Sequence, residues 1–231
     1  MMKVYYICHS TWGIISDVKD LLFDYSERIC GSGVRGVVMK IFSGRSPLIL
    51  FSHTHSDHFS PSVSTIVKNA QYILPRDTPE DIARGFSTKV VVPLRGEVTL
   101  DGVVIQTFPS TDEGVAYLLE LEDGCRIFFA GDLARWVWPD DSEKNRREAE
   151  RMWKRVLGEL EEYNGVDLAF LVADPRLEDL GGFLEIFQVL QPKHTFPIHN
   201  FGVFSHYKKL KGLRGVHLPS GAPQEFILGD H

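Results

Sequence analysis

The stretch SHTHSDHF, Ser52–Phe59, sets His53, His55, Asp57 and His58 within six residues of one another. It follows PLILFS, Pro47–Ser52, a short apolar run of the kind expected for a strand covered on both faces. Four side chains able to bind a cation, placed where a buried strand ends, call for an explanation. Neutral imidazole and carboxylate are groups that zinc, iron and manganese accept. In a loop, His53 and His55 can face one side while Asp57 and His58 turn toward another, which suits two ions ~3.5–4 Å apart. The plainer alternative is a polar turn with solvent-facing histidines.

Working outward, Val4–Cys8 reads as a strand and Asp20–Tyr25 as its hairpin partner. Cys30–Gly36 (CGSGVRG) reads as a flexible glycine-rich connection, since it lacks the GxxxxGK[ST] order that cradles nucleotide phosphates. Beyond the histidine stretch, helices are expected over Ser62–Asn69 and Thr78–Gly85, with a strand over Gln71–Leu74 between them. Strands then recur at Lys89–Val92, Glu97–Leu100, Val103–Phe108, Val115–Leu121 and Arg126–Ala130, divided by turns at RGE, LDG and EDG. Between Asp141 and Tyr163, Ala149, Met152, Trp153, Val156, Leu157 and Leu160 recur at helical spacing among charged residues, the pattern of a helix lying on a sheet. Leu168–Val172 is a strand, Phe183–Leu190 a helix and Thr195–Ile198 a last short strand ending at His199. With no linker-like shift in composition, the 231 residues are expected to form a single domain, 1–231.

Apolar residues at 43% and charged residues at 24% argue against disorder. No run approaches the ~18 apolar residues of a membrane span. MMKVYYICHS reads as the start of a strand, so a cytoplasmic protein without membrane contact is expected. A net charge of −6, from 25 basic and 31 acidic residues, argues against a nucleic-acid partner and leaves a small molecule as the expected substrate. Cys8, Cys30 and Cys125 form no CxxC pair and read as reduced thiols. Any metal site is then built from histidine and carboxylate.

HTHSDH resembles the metal-binding signature of the metallo-β-lactamase superfamily, and further motifs follow in the family's order. PSTDEG (Pro109–Gly114) falls where its third histidine motif lies, FFAGD (Phe128–Asp132) resembles the strand ending in the bridging aspartate, and FPIH (Phe196–His199) resembles the last histidine motif. CHSTWGI (Cys8–Ile14) resembles the first turn of the phosphodiesterase-like and lactonase-like branches. The resemblance implies an α/β fold, an αββα sandwich of two mixed β-sheets flanked by helices, with metals in a cleft at one edge. It implies that His53, His55 and Asp132 hold one metal, and that Asp57, His58, Asp132 and His199 hold the other. Asp57 is also a candidate catalytic group, orienting a water or acting as base. His9 either hydrogen-bonds one of the ligands, as in the families this chain resembles, or is a structural turn histidine.

The third motif departs from the pattern. A gap-free alignment puts Thr111 where the family has histidine, and a threonine hydroxyl is a poor ligand for zinc. Asp112 is the candidate substitute, and it would make the site friendlier to manganese or iron. The cofactor expected is one or two divalent ions, zinc first, with manganese or iron as alternatives.

The leading functional expectation is a metal-dependent hydrolase in which a metal-bound hydroxide attacks an ester-like, lactone or phosphodiester bond. The alternative is a metal-binding or regulatory protein of the same fold with weak or no catalysis. A di-iron redox protein comes third. Trp136 and Trp138 either wall a substrate pocket or pack in the core, Asp174 either lines the cleft or caps a turn, and Lys208, Lys209, Lys211 and Arg214 read as a solvated tail.

Overall fold

The protein is described here from a computed structural model over residues 1–229; His231, to which no motif is attached, lies outside the described residues. Strands β1 (Met2–Cys8), β2 (Thr11–Ile15), β3 (Leu21–Phe23), β4 (Leu48–Leu50), β5 (Gln71–Pro75) and β6 (Lys89–Val92) join β13 (Gln224–Leu228) in a seven-stranded sheet. Its order is β13-β1-β2-β3-β4-β5-β6. The second sheet has six strands in the order β12-β11-β10-β9-β8-β7. These are β7 (Gly96–Leu100), β8 (Val103–Pro109), β9 (Val115–Glu120), β10 (Arg126–Phe129), β11 (Leu168–Val172) and β12 (His194–Ile198). Both sheets are mixed: β3 to β6 run parallel while β1 to β3 alternate, and β10 to β12 run parallel while β7 to β10 alternate.

The period of two along each strand explains the layering. Leu48 and Leu50 face the other sheet, whereas Ile49 between them packs beneath helices on the outer face. Phe23 and Phe129 meet across the two sheets with ring centroids 4.4 Å apart and planes 6° apart. Trp12, Phe170 and Phe196 continue this aromatic centre. Helices α1 (Glu27–Cys30), α2 (Val34–Ile41), α3 (Val63–Ile66) and α4 (Glu80–Ala83) cover the first sheet, with Val34, Val38, Val63 and Ala83 buried on it. Helices α5 (Glu143–Leu160) and α6 (Phe183–Leu190) cover the second. Ser142 caps α5 by accepting the Asn145 N–H, and Trp153 and Leu160 are its fully buried residues. The result is the expected αββα sandwich. Among the described residues no helix is long and apolar enough to cross a membrane.

Several local expectations give way. The hairpin partner of β1 is β2, and Asp20–Tyr25 instead supplies β3, which pairs with β2 and, in parallel, with β4. The tight turn at His9-Ser10 permits that hairpin, and it needs no glycine because His9 itself takes a left-handed φ of 47°. The CGSGVRG stretch is mostly helix: α1 ends at Cys30, Gly31 terminates it, and α2 begins at Val34. Tertiary burial of Val34 and Val38 overrides the poor helix propensity of the glycines. Cys8 and Cys30 are not reduced thiols but are joined as a disulfide, because the end of β1 and α1 bring their Cα atoms to 5.8 Å. Lys208, Lys209, Lys211 and Arg214 are exposed as expected but form no tail: the first two lie in a short 3-10 helix, Ser205–Leu210, anchored by buried Tyr207 and Leu210, and the chain returns as β13 to pair with β1 in the first sheet.

Candidate metal centre

The residues in question sit where strands end at one edge of the sandwich. His53–His58 follow β4, Asp132 follows β10, Asp174 follows β11, His199 follows β12, and His9 lies in the β1–β2 turn. Open α/β sheets place ligands beyond the carboxyl ends of parallel strands, because each strand there delivers its next side chain to a shared crevice. Among the described non-glycine residues with positive φ, His9 (47°), Asp24 (44°), His199 (65°) and Phe201 (49°) cluster here. Such backbone persists only where surrounding contacts hold it.

Two groups of side chains could each hold an ion. His53, His55 and Asp132 form one, and His9, Asp57, His58 and His199 the other; within each group the ligand atoms lie within 4.8 Å of one another. Asp132 stands between the groups. Its Oδ2 is 3.3 Å from His53 Nε2, while its Oδ1 is 3.0 Å from His58 Nε2 and 3.4 Å from His199 Nε2. Asp57 Oδ2 lies 3.8 Å from both His58 Nε2 and His199 Nε2.

Hydrogen bonds on the far side of each ring assign its tautomer. His58 donates from Nδ1 to Asp24 Oδ2 at 2.7 Å, and His199 donates from Nδ1 to Asp174 Oδ2 at 3.0 Å. Ser52 Oγ is committed as a donor to Asp24 Oδ2 at 2.7 Å, so at 2.8 Å it accepts from His53 Nδ1. All three rings therefore aim an Nε2 lone pair inward. His9 is the reverse case. Its Nδ1 accepts the Phe201 N–H at 3.1 Å, so Nε2 carries the proton and points at Asp57 Oδ2, 3.6 Å away. Although His9 belongs to the second group by distance, it is a donor there and not a ligand. The hydrogen bond to a ligand, one of its two expected roles, is not formed: Nε2 stops 3.6 Å from Asp57 Oδ2.

Four inward-facing atoms, His9 Nε2, His53 Nε2, His58 Nε2 and Asp132 Oδ1, are buried with no hydrogen-bond partner. Buried polar atoms rarely stay unpaired. The lone pairs and carboxylates that meet here outnumber the one fixed donor, His9 Nε2–H; a cation would satisfy them, and imidazole with carboxylate suits a divalent metal. The residues present fit the group that the fold implies.

The electrostatics agree. Burial opposes a charge on His58, yet Asp132 and Asp24 outweigh it and raise its pKa well above the usual range. Burial likewise opposes the charge of Asp132, but His58, His199 and His53 hold its carboxyl well below the ordinary value. Asp57 is also held low against burial, through His9 and His58. Burial dominates at His9, with the neighbouring histidines adding to it, and lowers its pKa to about 4. A proton on His58 does, in part, what a bound cation would do.

Thr111 is not placed to serve as a ligand. Its hydroxyl accepts the Ala134 N–H at 2.9 Å and donates to the Ala134 carbonyl at 2.6 Å, fastening the segment that carries Asp132. Asp112 reaches only His55 Nδ1, at 3.7 Å, and both side chains are more than 40% exposed. Burial and the charge of Asp132 raise its carboxyl pKa. Glu113, not singled out in the sequence, is 3.4 Å from His55 Nε2. Gly114 has φ +69°, and a Cβ there would collide with the Ser52 carbonyl and lie 2.7 Å from His53 Cβ. Only glycine lets β9 start this close to the histidine loop.

Asp174 lines the cleft: fully buried, it accepts from both His199 and Arg176. Trp136 and Trp138 stack at 5.9 Å, and the Trp136 ring lies 5.5 Å from that of His199, so they wall the site. Asp24, Ser52 and Arg176 were missed. An aspartate closing a buried apolar run, DLLFDY, was the available signal for the first; the other two carry none.

No family model and no curated protein matches this sequence. Solved structures do. Igni18, described as a novel metallo hydrolase from the archaeon Ignicoccus hospitalis, superposes with a TM-score of 0.66 at 15% identity over 99% of each chain. YhfI from Bacillus subtilis, a metallo-β-lactamase fold protein, gives 0.63 at 13% identity over 97% of this chain and 98% of that one. CmlA, a diiron β-hydroxylase from Streptomyces venezuelae, gives 0.62 at 14% identity, covering 98% of this chain but 54% of the other. With its two mixed sheets, flanking helices and cluster of histidines and aspartates at one edge, this chain has the metallo-β-lactamase fold.

Proposed function

We propose that the protein is a metal-dependent hydrolase that cleaves an ester-like, lactone or phosphodiester bond in a small molecule. His53, His55 and Asp132 would hold one divalent cation; Asp57, His58, Asp132 and His199 would hold the other. The observation that carries this reading is the convergence of the Nε2 atoms of His53, His58 and His199 on Asp132 and Asp57, each ring fixed by a partner at its Nδ1. When bound, such cations supply Lewis acidity and make water a nucleophile near neutral pH. Asp57, partly open to solvent and 3.6 Å from His9 Nε2, orients a water; its depressed pKa suits it to orientation more than to storing a proton. His9 stays neutral and holds its proton at Nε2 over the cleft. Zinc fits this imidazole-rich set, and Asp112 moving toward His55 would harden the first set toward iron or manganese.

One observation favours a second reading. With Thr111 bonded to Ala134, the first set has three protein ligands, which suits a metal-binding protein of weak or absent turnover. Elemental analysis of chain purified without added metal, with turnover of bis(p-nitrophenyl) phosphate and a simple lactone, tests both. Two equivalents of metal and activity abolished by His58→Ala support the hydrolase. One equivalent with no turnover supports the second reading, and no metal even after reloading sinks both.

A further inference from the structure

Arg176 lies at the mouth of the cleft, held in an unusual way. Its Nε donates to Asp174 Oδ1 at 2.9 Å, its Nη2 donates to Oδ2 at 2.5 Å, and its own backbone N–H donates to Oδ1 at 2.8 Å. The guanidinium lies against Phe201, 4.4 Å from the ring centroid, and against Trp138 at 5.0 Å. These contacts fix the plane of the group and use one edge of its fork. A guanidinium has five N–H donors. The Nε–H and one Nη2–H are spent, and the remaining three have no protein acceptor among the described residues. The side chain is half exposed.

Arg176 borders the metal cleft. Phe201, on which Arg176 rests, also lies 4.4 Å from the His9 ring and 4.9 Å from the His199 ring. Asp174 joins Arg176 to His199 directly. The charges of Asp57 and Asp132 reach Arg176. His9 Nε2 adds a second observation from another element: a donor almost wholly buried, without a partner, aimed into the same cleft. An arginine fixed in plane by a carboxylate and two aromatic rings, with a row of N–H groups free, is prepared for a planar or tetrahedral oxyanion. A merely structural arginine would need neither the exposed edge nor the aromatic walls.

We propose that Arg176 is the oxyanion-binding residue of this cleft, and that the substrate carries a phosphate, phosphonate or carboxylate group beside the bond that is cut, with its apolar part against Trp136 and Trp138. This rests on the hydrolase reading for the cleavage, but not for the binding.

Trp136 and Trp138 provide the readout. Phenylphosphonate and phenylacetate, neither of which has a hydrolysable ester bond, are titrated into the chain by tryptophan fluorescence, with metal content measured on the same samples. Phenylphosphonate is expected to bind, and Arg176→Gln to weaken it by about tenfold to a hundredfold with unchanged metal content. Arg176→Lys, which keeps the charge and loses the fork, should fall between. Stronger dependence of phenylphosphonate than of phenylacetate on Arg176 identifies a phosphate-type group, and the reverse a carboxylate. Unchanged affinity in Arg176→Gln overturns the proposal. So does loss of metal in both variants, which would make Arg176 only a support for His199. If the wild-type chain holds no metal yet Arg176→Gln still loses the anion, the oxyanion site stands and the hydrolase reading falls.

Discussion

Asp24 and His58, 34 residues apart in sequence and both fully buried, meet through a 2.7 Å hydrogen bond from His58 Nδ1 to Asp24 Oδ2. The same carboxylate accepts the Ser52 N–H and the Ser52 hydroxyl, each at 2.7 Å, and Ser52 in turn orients His53. One aspartate, immediately after β3, therefore sets the direction of a ring in each candidate metal group.

Replacing Asp24 with Asn should uncouple that arrangement. An amide has one acceptor oxygen, and its NH2 would face either His58 Nδ1 or Ser52. Metal affinity is expected to fall by about 10–100-fold, as for other groups that orient metal-bound histidines. Leaving a buried donor unpaired should cost roughly 1–3 kcal/mol of stability. Chelator competition and thermal unfolding measure the two effects, and an unchanged metal affinity would count against the orienting role.

Thr111→Val keeps the shape of the side chain and removes its hydroxyl. Because that hydroxyl bonds only backbone groups of the Asp132 segment, stability should drop by about 1–2 kcal/mol with metal stoichiometry intact. A fall in stoichiometry instead would show that Thr111 is a ligand after all.

His9 gives a pH signature in metal-free chain. Its pKa is about 4 in the fold against 6.5 when unperturbed, so between these values the unfolded chain binds the extra proton. Stability therefore falls as pH drops from about 6.5 to about 4, with a limiting slope of about 1.4 kcal/mol per pH unit from this group. His58, raised in the fold, contributes stability below 6.5 that is lost as pH rises through its folded value. Comparing wild type with His9→Gln isolates the first effect. Glutamine can accept from Phe201 and donate toward Asp57, and its curve should lack the acid-side loss. Parallel curves for the two proteins would refute the assignment.

Added metal should stabilise the fold, since it binds a site absent from the unfolded chain. At a free concentration one hundred times Kd the gain is about 2.7 kcal/mol, or about 5–10 °C in Tm for a chain of this length. Differential scanning fluorimetry with zinc, manganese and iron(II) under anaerobic conditions reads this directly, and the ion giving the largest shift at equal concentration is the preferred one. His58→Ala should remove most of the shift.

Much of this could be read in the sequence because it was local. The unbroken apolar run Leu48-Ile49-Leu50, the helical spacing through Trp153 and Leu160, and the HxHxDH spacing of His53 to His58 are each complete within a few residues. The order of Asp132 and His199 after strand-like runs carried the layout of the site further. What failed was non-local or carried by backbone conformation. The β1–β2 hairpin turns on a left-handed histidine, where glycine is the usual marker. Helix α2 is held by burial of Val34 and Val38 against residues far along the chain, and β13 exists because β1 has an open edge to pair with.

The donor set, the strand ends that bear it and the loss of the third-motif histidine were determined by the residues themselves, because spacing and side-chain chemistry travel with the chain. Which ring nitrogens face inward, the proton of His9 at Nε2, and the pinning of Arg176 by Asp174, Trp138 and Phe201 were decided only by the fold. A proton's place on imidazole depends on what lies across from its other nitrogen. Those partners come from strands that meet only when the two sheets close.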